Sequence, residues 1–251
     1  MQKLTRVSNF DIWYLDNFYD DPDHVRDFAI QPDHFYRNKN DLWPGSRIGD
    51  IRFKYEEKYQ KFYSYFLEKL DEKIPLFNVN DCFSIKTTFD KSPIADNNLK
   101  SILNTGYIHV DLFNGERPDS KKFAGVVYLN KVAHPNSGTS FFKTKYMTDE
   151  KIKITDNNNY ELFDSFFDGY GYNNLFGEYV NLHNPFVKKK YQNYFLKIKQ
   201  FVDSKFEKVI DVKNVYNRIV LYDSNYFHSS SHFYVNNFED RLTQPFFIEM
   251  I

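Results

Sequence analysis

The residues that could do chemistry begin with His109 and Asp111. In a strand, side chains at i and i+2 leave the same face. An imidazole and a carboxylate at that spacing therefore converge, while Val110 between them points away. With one more histidine they would form a 2-His-1-carboxylate facial triad, a donor set that holds iron(II) and leaves open positions for a co-substrate and dioxygen. His-x-Asp alone is a weak signal, because a solvent-facing polar stripe on an ordinary strand would carry it too. The third ligand has to come from far along the chain, at a strand end. The apolar run Arg218-Ile219-Val220-Leu221-Tyr222 predicts a strand, Asp223-Ser224-Asn225 a turn, and His228 then opens the next strand facing inward. His232 competes, but it follows Ser229-Ser230-Ser231, a more polar and loop-like setting, so His228 is favoured. Arg241-Leu242-Thr243 opens a last strand with Arg241 and Thr243 on one face. A buried guanidinium beside a hydroxyl suits the far end of a dicarboxylate, since guanidinium binds carboxylate through paired hydrogen bonds. A surface salt bridge from Arg241 to Glu239 or Asp240 is the competing role.

Elements must exist to hold these groups. Asp21-Pro22-Asp23 reads as a helix start, with Asp21 as N-cap and Pro22 at the first helical position, and the helix should stop before Pro32. Between residues 53 and 74, Tyr55, Tyr59, Phe62, Phe66, Leu70 and Ile74 recur at three- and four-residue spacing, the pattern of an amphipathic helix laid on a core. From about residue 80 the pattern shifts to strands: 82–89, with Cys82 as a small core residue, then 107–112, 123–129, 139–142, 209–212, 218–222 and 241–248. Residues 145–185 are rich in Asn, Asp, Gly and Tyr and show no clear period, so they read as a long insertion; 188–206 then reads as a helix. Short strands parted by turns suggest a sandwich or jelly roll.

Composition narrows the function classes. The chain of 251 residues is 41% hydrophobic and 27% charged, enough to bury a real core, and one domain is expected. A formal net charge of −1 steers it neither to nucleic acid nor to anionic membrane. The aromatic fraction of 20% could supply stacking platforms for single strands, but no basic stripe interleaves the rings. A single cysteine cannot build a disulfide framework, and neither a signal-peptide core nor an 18-residue apolar run is present, so a cytoplasmic protein is expected.

The motifs taken together resemble the 2-oxoglutarate- and iron(II)-dependent dioxygenases, the prolyl-hydroxylase-like branch most. Thr105-Gly106-Tyr107-Ile108-His109-Val110-Asp111 is similar to that branch's first-ligand strand. Val127-Tyr128-Leu129-Asn130 followed by Gly138 resembles its Tyr-Leu-Asn strand and the glycine-led strand after it. The run 218–222, His228 and Arg241-x-Thr243 resemble its closing part, and Leu15-Asp16-Asn17-Phe18 with Asp21-Pro22 resembles the opening of uncharacterised relatives. The likeness covers residues from about 80 to 251 well and the first 75 loosely.

The resemblance implies a mainly β protein with flanking helices: a double-stranded β-helix (jelly roll, cupin-like) core at 79–251 with an insertion at about 145–210, and a helical N-terminal support at 1–78, all in one oxygenase domain of residues 1–251. It implies Fe(II) held by His109, Asp111 and His228, 2-oxoglutarate and O2 as co-substrates, and Arg241 gripping the 5-carboxylate of 2-oxoglutarate with help from Thr243 and the Tyr128 hydroxyl. Tyr128 as a plain core aromatic is the competing reading. The implied reaction is hydroxylation of an unactivated C–H bond with release of succinate and CO2; related halogenases lack the carboxylate that Asp111 supplies. Candidate substrates are a prolyl or other side chain of a peptide or protein, and a free small molecule such as an amino acid. The aromatic stretch Tyr160, Phe163, Phe166, Phe167, Tyr170 and Tyr172 could wall a substrate groove or pack the insertion onto the barrel. Two rivals stay open: a cupin-type metal enzyme that does not use 2-oxoglutarate, and a non-enzymatic jelly-roll binding or structural protein with a decayed site. His24, His34, His134 and His183 fall outside the expected ligand strands and carry no assigned role.

Overall fold

A period-two run buried on both faces forms the centre of the fold. The computed structural model describes residues 4–7, 10–31, 46–48, 56–74, 77–91, 106, 108–111, 120–145, 200–232 and 240–251. In chain order the elements are β1 (Thr5–Arg6), β2 (Ile12–Leu15), α1 (Pro22–Ala29), β3 (Ser46–Arg47), α2 (Glu56–Lys73), β4 (Cys82–Thr87), β5 (Asp90–Lys91), β6 (Lys121–Tyr128), β7 (Gly138–Thr144), β8 (Phe206–Lys213), β9 (Ile219–Asp223), β10 (His228–Ser231) and β11 (Leu242–Met250). The larger sheet has the order β1-β2-β9-β6-β11-β5-β3, with β4 also paired to β11; the smaller has the order β10-β7-β8. From β6 onward the chain crosses between the sheets: β6 in the larger, β7 and β8 in the smaller, β9 back, β10 across, β11 back. This antiparallel winding between two facing sheets is a double-stranded β-helix, a jelly roll, and the protein is mainly β.

The alternation along β6 divides the core in two. Phe123, Val127 and, just beyond it, Leu129 pack in one cluster with Phe28 of α1 and with Phe66 and Leu70 of α2. Ala124, Val126 and Tyr128 face the other way and pack with Phe141 and Ile210 of the smaller sheet. Each Val, Leu, Ile or Phe among them, fully buried, contributes about 1.5–3 kcal/mol. Phe66 sits 5.8 Å from Phe18 and 5.3 Å from Phe246, ring centre to ring centre, and so fastens α2 to the sheet. Gly125 marks the closest approach: a Cβ there would lie 2.2 Å from both the Phe246 ring and the Val220 carbonyl oxygen. α1 starts as the sequence predicts, with the Asp21 carboxylate accepting from the His24 N–H at 3.0 Å and Pro22 in the first turn.

Several expectations change. The N-terminal part is more than a helical support, because β2 extends the larger sheet, pairing Ile12 with Tyr222 through Leu15 with Ile219. The expected strand at 107–112 is, in its described residues, a single bridge from His109 to His228 rather than a ladder. Arg241 stands just before β11 rather than inside it. Cys82 is half-buried at the edge of β4 and free, not a core residue. Phe206 already belongs to a strand, so the helix expected over 188–206 is described only in its last turn, at 200–204. Residues 146–199, and with them most of the expected insertion and its aromatic stretch, lie outside the described residues. Among the described residues no helix is long and apolar enough to cross a membrane.

Candidate metal centre

The backbone places the two histidines before any side-chain contact does. The His109 N–H donates to the His228 carbonyl at 3.0 Å, and the His228 N–H returns a bond to the His109 carbonyl at 2.9 Å. Residues that exchange both bonds across an antiparallel pair carry their side chains on the same face. The imidazole centroids are accordingly 4.3 Å apart. Two further bonds fix the segment, Gly106 N–H to Ser230 O at 2.6 Å and Asp111 N–H to Ser224 O at 2.9 Å. Residues 106, 109 and 111 are thus tied to β10 and to the turn that precedes it.

Asp111 joins the two rings. His109 Nε2 is 3.5 Å from its Oδ1, and His228 Nε2 is 3.2 Å from its Oδ2. One ligand atom from each residue lies within 4.8 Å of the others, and among the described residues this is the single cluster of three or more such groups able to hold a metal. Ligands on adjacent corners of an octahedron with bonds of about 2.1 Å are about 3 Å apart, close to the 3.5 and 3.2 Å that separate each ring from its nearer Asp111 oxygen. His228 Nδ1 lies 2.9 Å from the Tyr226 carbonyl oxygen. A carbonyl accepts only, so that nitrogen carries the proton and Nε2 presents its lone pair to the cluster, the orientation that metal-binding histidines receive from an outer partner. The donor set fits a divalent iron-type ion, with one carboxylate and two neutral imidazoles.

The second group lies in the same interior. Arg241 is buried, its guanidinium donating to the Gly138 carbonyl at 3.4 Å and lying 5.7 Å from the centre of the Tyr128 ring. Burial pushes its pKa down. The Tyr128 hydroxyl pairs with Thr139 Oγ1 at 2.6 Å, and Thr243 sits opposite Tyr128 in the β6–β11 register, also buried. Asn130 brackets Arg241: its amide donates to the Asp240 carbonyl at 2.6 Å and its oxygen accepts from the Leu242 N–H at 3.0 Å. Asp240 turns instead toward Lys91, at 3.5 Å.

The structure therefore brings together His109, Asp111 and His228 on one side, and Arg241, Tyr128 and Thr243 on another part of the same interior. It does not bring in His232. β10 ends at Ser231, and His232 takes a left-handed φ of 49° that turns it off the strand line; its ring stacks on His134 at 5.3 Å. Three residues of the site escaped the sequence reading. Thr139 shares the inward parity of Phe141, and Tyr222 that of Val220, both readable from alternation had the strands been anchored. The bracketing by Asn130 depends on a pairing across 112 positions that no local pattern shows.

Fold and site together define a double-stranded β-helix protein with a buried His-Asp-His cluster. The model described as "Family of unknown function (DUF6445)" matches residues 3–186, and the chain belongs to that family. The matched span includes His109 and Asp111 but stops short of His228 and Arg241. No curated protein matches the chain. Among solved structures, the chain is similar to a prolyl-4-hydroxylase from Pseudomonas putida, at 11% identity and a TM-score of 0.45, over 97% of this chain and 95% of that one. It is also similar to EvdO2 from Micromonospora carbonacea var. aurantiaca complexed with 2-oxoglutarate, at 9% and 0.48, over 100% and 94%. HygX from Streptomyces hygroscopicus with nickel and 2-oxoglutarate bound matches at 12% and 0.48, over 95% and 82%. These are likenesses of outline, and the chemistry of the site rests on its own geometry.

Proposed function

We propose that this chain is an iron(II)- and 2-oxoglutarate-dependent dioxygenase, folded as one domain, that hydroxylates an unactivated C–H bond in the cytoplasm. The observation that carries the reading is the burial of the His109–Asp111–His228 cluster in the same interior as the buried Arg241. His109, Asp111 and His228 are the proposed iron ligands. The bound metal supplies activation of dioxygen, with the co-substrate oxidised to succinate and CO2. The protein's own part is positioning. Arg241 offers paired N–H donors to the distal carboxylate of 2-oxoglutarate, with Tyr128 and Thr243 beside it, and the apolar walls of Val126, Phe141 and Val220 exclude water. A decayed jelly-roll site would leave Arg241 turned to solvent, and a cupin-type metal enzyme would have no use for a buried cation there; the burial of Arg241 counts against both. The proposed substrate is a small molecule or an amino-acid side chain of a peptide.

Anaerobically reconstituted protein should bind one equivalent of iron(II) and show a weak visible metal-to-ligand band on adding 2-oxoglutarate. His109→Ala should lose the metal. Succinate should form under oxygen only with 2-oxoglutarate and iron present. Folded protein that binds neither iron(II) nor 2-oxoglutarate would sink the reading.

A further inference from the structure

A fourth side chain stands at the His109–Asp111–His228 cluster. The Tyr222 hydroxyl lies 3.0 Å from His228 Nε2 and 3.4 Å from Asp111 Oδ2, and those two atoms are 3.2 Å from each other. The position is built in. Tyr222 is in the middle of the larger sheet, paired with Ile12 on β2 and Ala124 on β6, and its ring meets Phe141 edge-on at 5.0 Å. It is buried, so it has little freedom to point elsewhere.

A phenol has one proton to donate. Without metal, His228 Nε2 can accept it, because Nδ1 carries the ring's proton toward Tyr226. A bound metal takes that lone pair. Among the described residues the acceptor then left within reach is Asp111 Oδ2. The other oxygen of the same carboxylate, Oδ1, faces His109 Nε2. A phenol donating to one oxygen of a carboxylate occupies one of its lone pairs and so favours metal binding through the other oxygen. A carboxylate with both oxygens free can chelate and take two corners of the octahedron. The difference is three open corners against two, and a chelating keto acid together with dioxygen needs three.

We propose that Tyr222 is a positioning residue that keeps Asp111 monodentate and so preserves the third open corner of the metal centre. The part concerning the keto acid rests on the function proposed above; the part concerning the carboxylate does not. Two readouts on Tyr222→Phe, which removes only the hydroxyl from a buried ring, keep them apart. The first uses Mn(II) alone: water-proton relaxation should report one more exchangeable metal-bound water in the native protein than in the variant, with Mn(II) affinity equal or tighter in the variant. Equal water counts would overturn the proposal, and so would loss of Mn(II) binding in the variant, which would make the phenol a ligand. A native protein that binds no Mn(II) would overturn it as well. The second adds 2-oxoglutarate to the iron(II) forms: its affinity should fall by about tenfold in the variant, the size expected of an outer partner of a metal ligand. A water difference without any 2-oxoglutarate binding to the native protein would keep the role of Tyr222 and overturn the dioxygenase reading. Tyr222→Leu serves as a second hydroxyl-free variant if the phenylalanine does not fold.

Discussion

Replacing Arg241 with methionine should move stability and co-substrate affinity in opposite directions. The guanidinium is buried, with the Gly138 carbonyl at 3.4 Å and the Tyr128 ring at 5.7 Å among its neighbours. Burying a cation costs several kcal/mol, and exchanging buried charged groups for apolar ones of similar volume is often neutral or stabilising by about 1–4 kcal/mol. The Arg241→Met apoprotein should therefore melt at the same temperature or higher, by about 2–4 °C for each kcal/mol in a chain of this size. The same change removes the charged partner of the distal carboxylate. Truncating one side of a buried, hydrogen-bonded charge pair costs about 2–5 kcal/mol, which is roughly 30-fold to several-thousand-fold in affinity. The assays are thermal unfolding of the apoprotein and calorimetric titration of the metal-loaded protein with 2-oxoglutarate; metal affinity serves as the control and should hold. A variant that melts well below the native protein while binding 2-oxoglutarate normally would refute the reasoning, because Arg241 would then be a structural cation.

Phe66→Ala removes a fully buried ring between Phe18 and Phe246 and should cost about 3–5 kcal/mol in urea unfolding, without a selective effect on metal affinity. Burial, with Asp81 and Asp71 nearby, pushes the Cys82 thiol up to about 11. At pH 8 only about one thiol in a thousand is then ionised, so iodoacetamide should label the folded protein far more slowly than the unfolded one; equal rates would contradict this. Hydrogen bonds from Lys69 and Lys73 hold the Asp20 carboxylate down at about 2. A folded pKa below the unfolded value of about 3.9 stabilises above that value and is lost as pH falls toward 2, so Asp20→Asn should flatten the stability loss between pH 4 and pH 2. The effect should be small, because Asp20 is exposed.

What could be read in advance was whatever depends on short-range period. The His-x-Asp spacing, the capped start of α1, the amphipathic face of α2 and the doubly apolar β6 are all local patterns. What escaped depends on distant partners. β2 is four residues with a hydrophobic run no different from a short buried helix turn, and it is a strand because β9 offers it an edge. The segment at 107–112 has the composition of a strand, yet its described part makes one bridge, to His228 of β10. His228 was separable from His232 by its apolar setting; the physical reason now visible is that the chain leaves the strand line at His232. Tyr222 looked like one more apolar-strand aromatic, and only the two-sided pairing of β9 aims its hydroxyl at the cluster.

β11 follows every other strand in the chain, yet it lies inside the larger sheet, with β6 on one side and β4 and β5 on the other. During synthesis the jelly roll must therefore wait with its central slot vacant. Until residues 242–250 emerge, β6 and β4 present bare hydrogen-bonding edges that any strand can occupy. Arg241 arrives together with the strand that fills the slot. The nascent chain thus exposes bare strand edges until its interior cation is delivered, and a chaperone covering those edges, or rapid translation of the last stretch, would shorten the exposure.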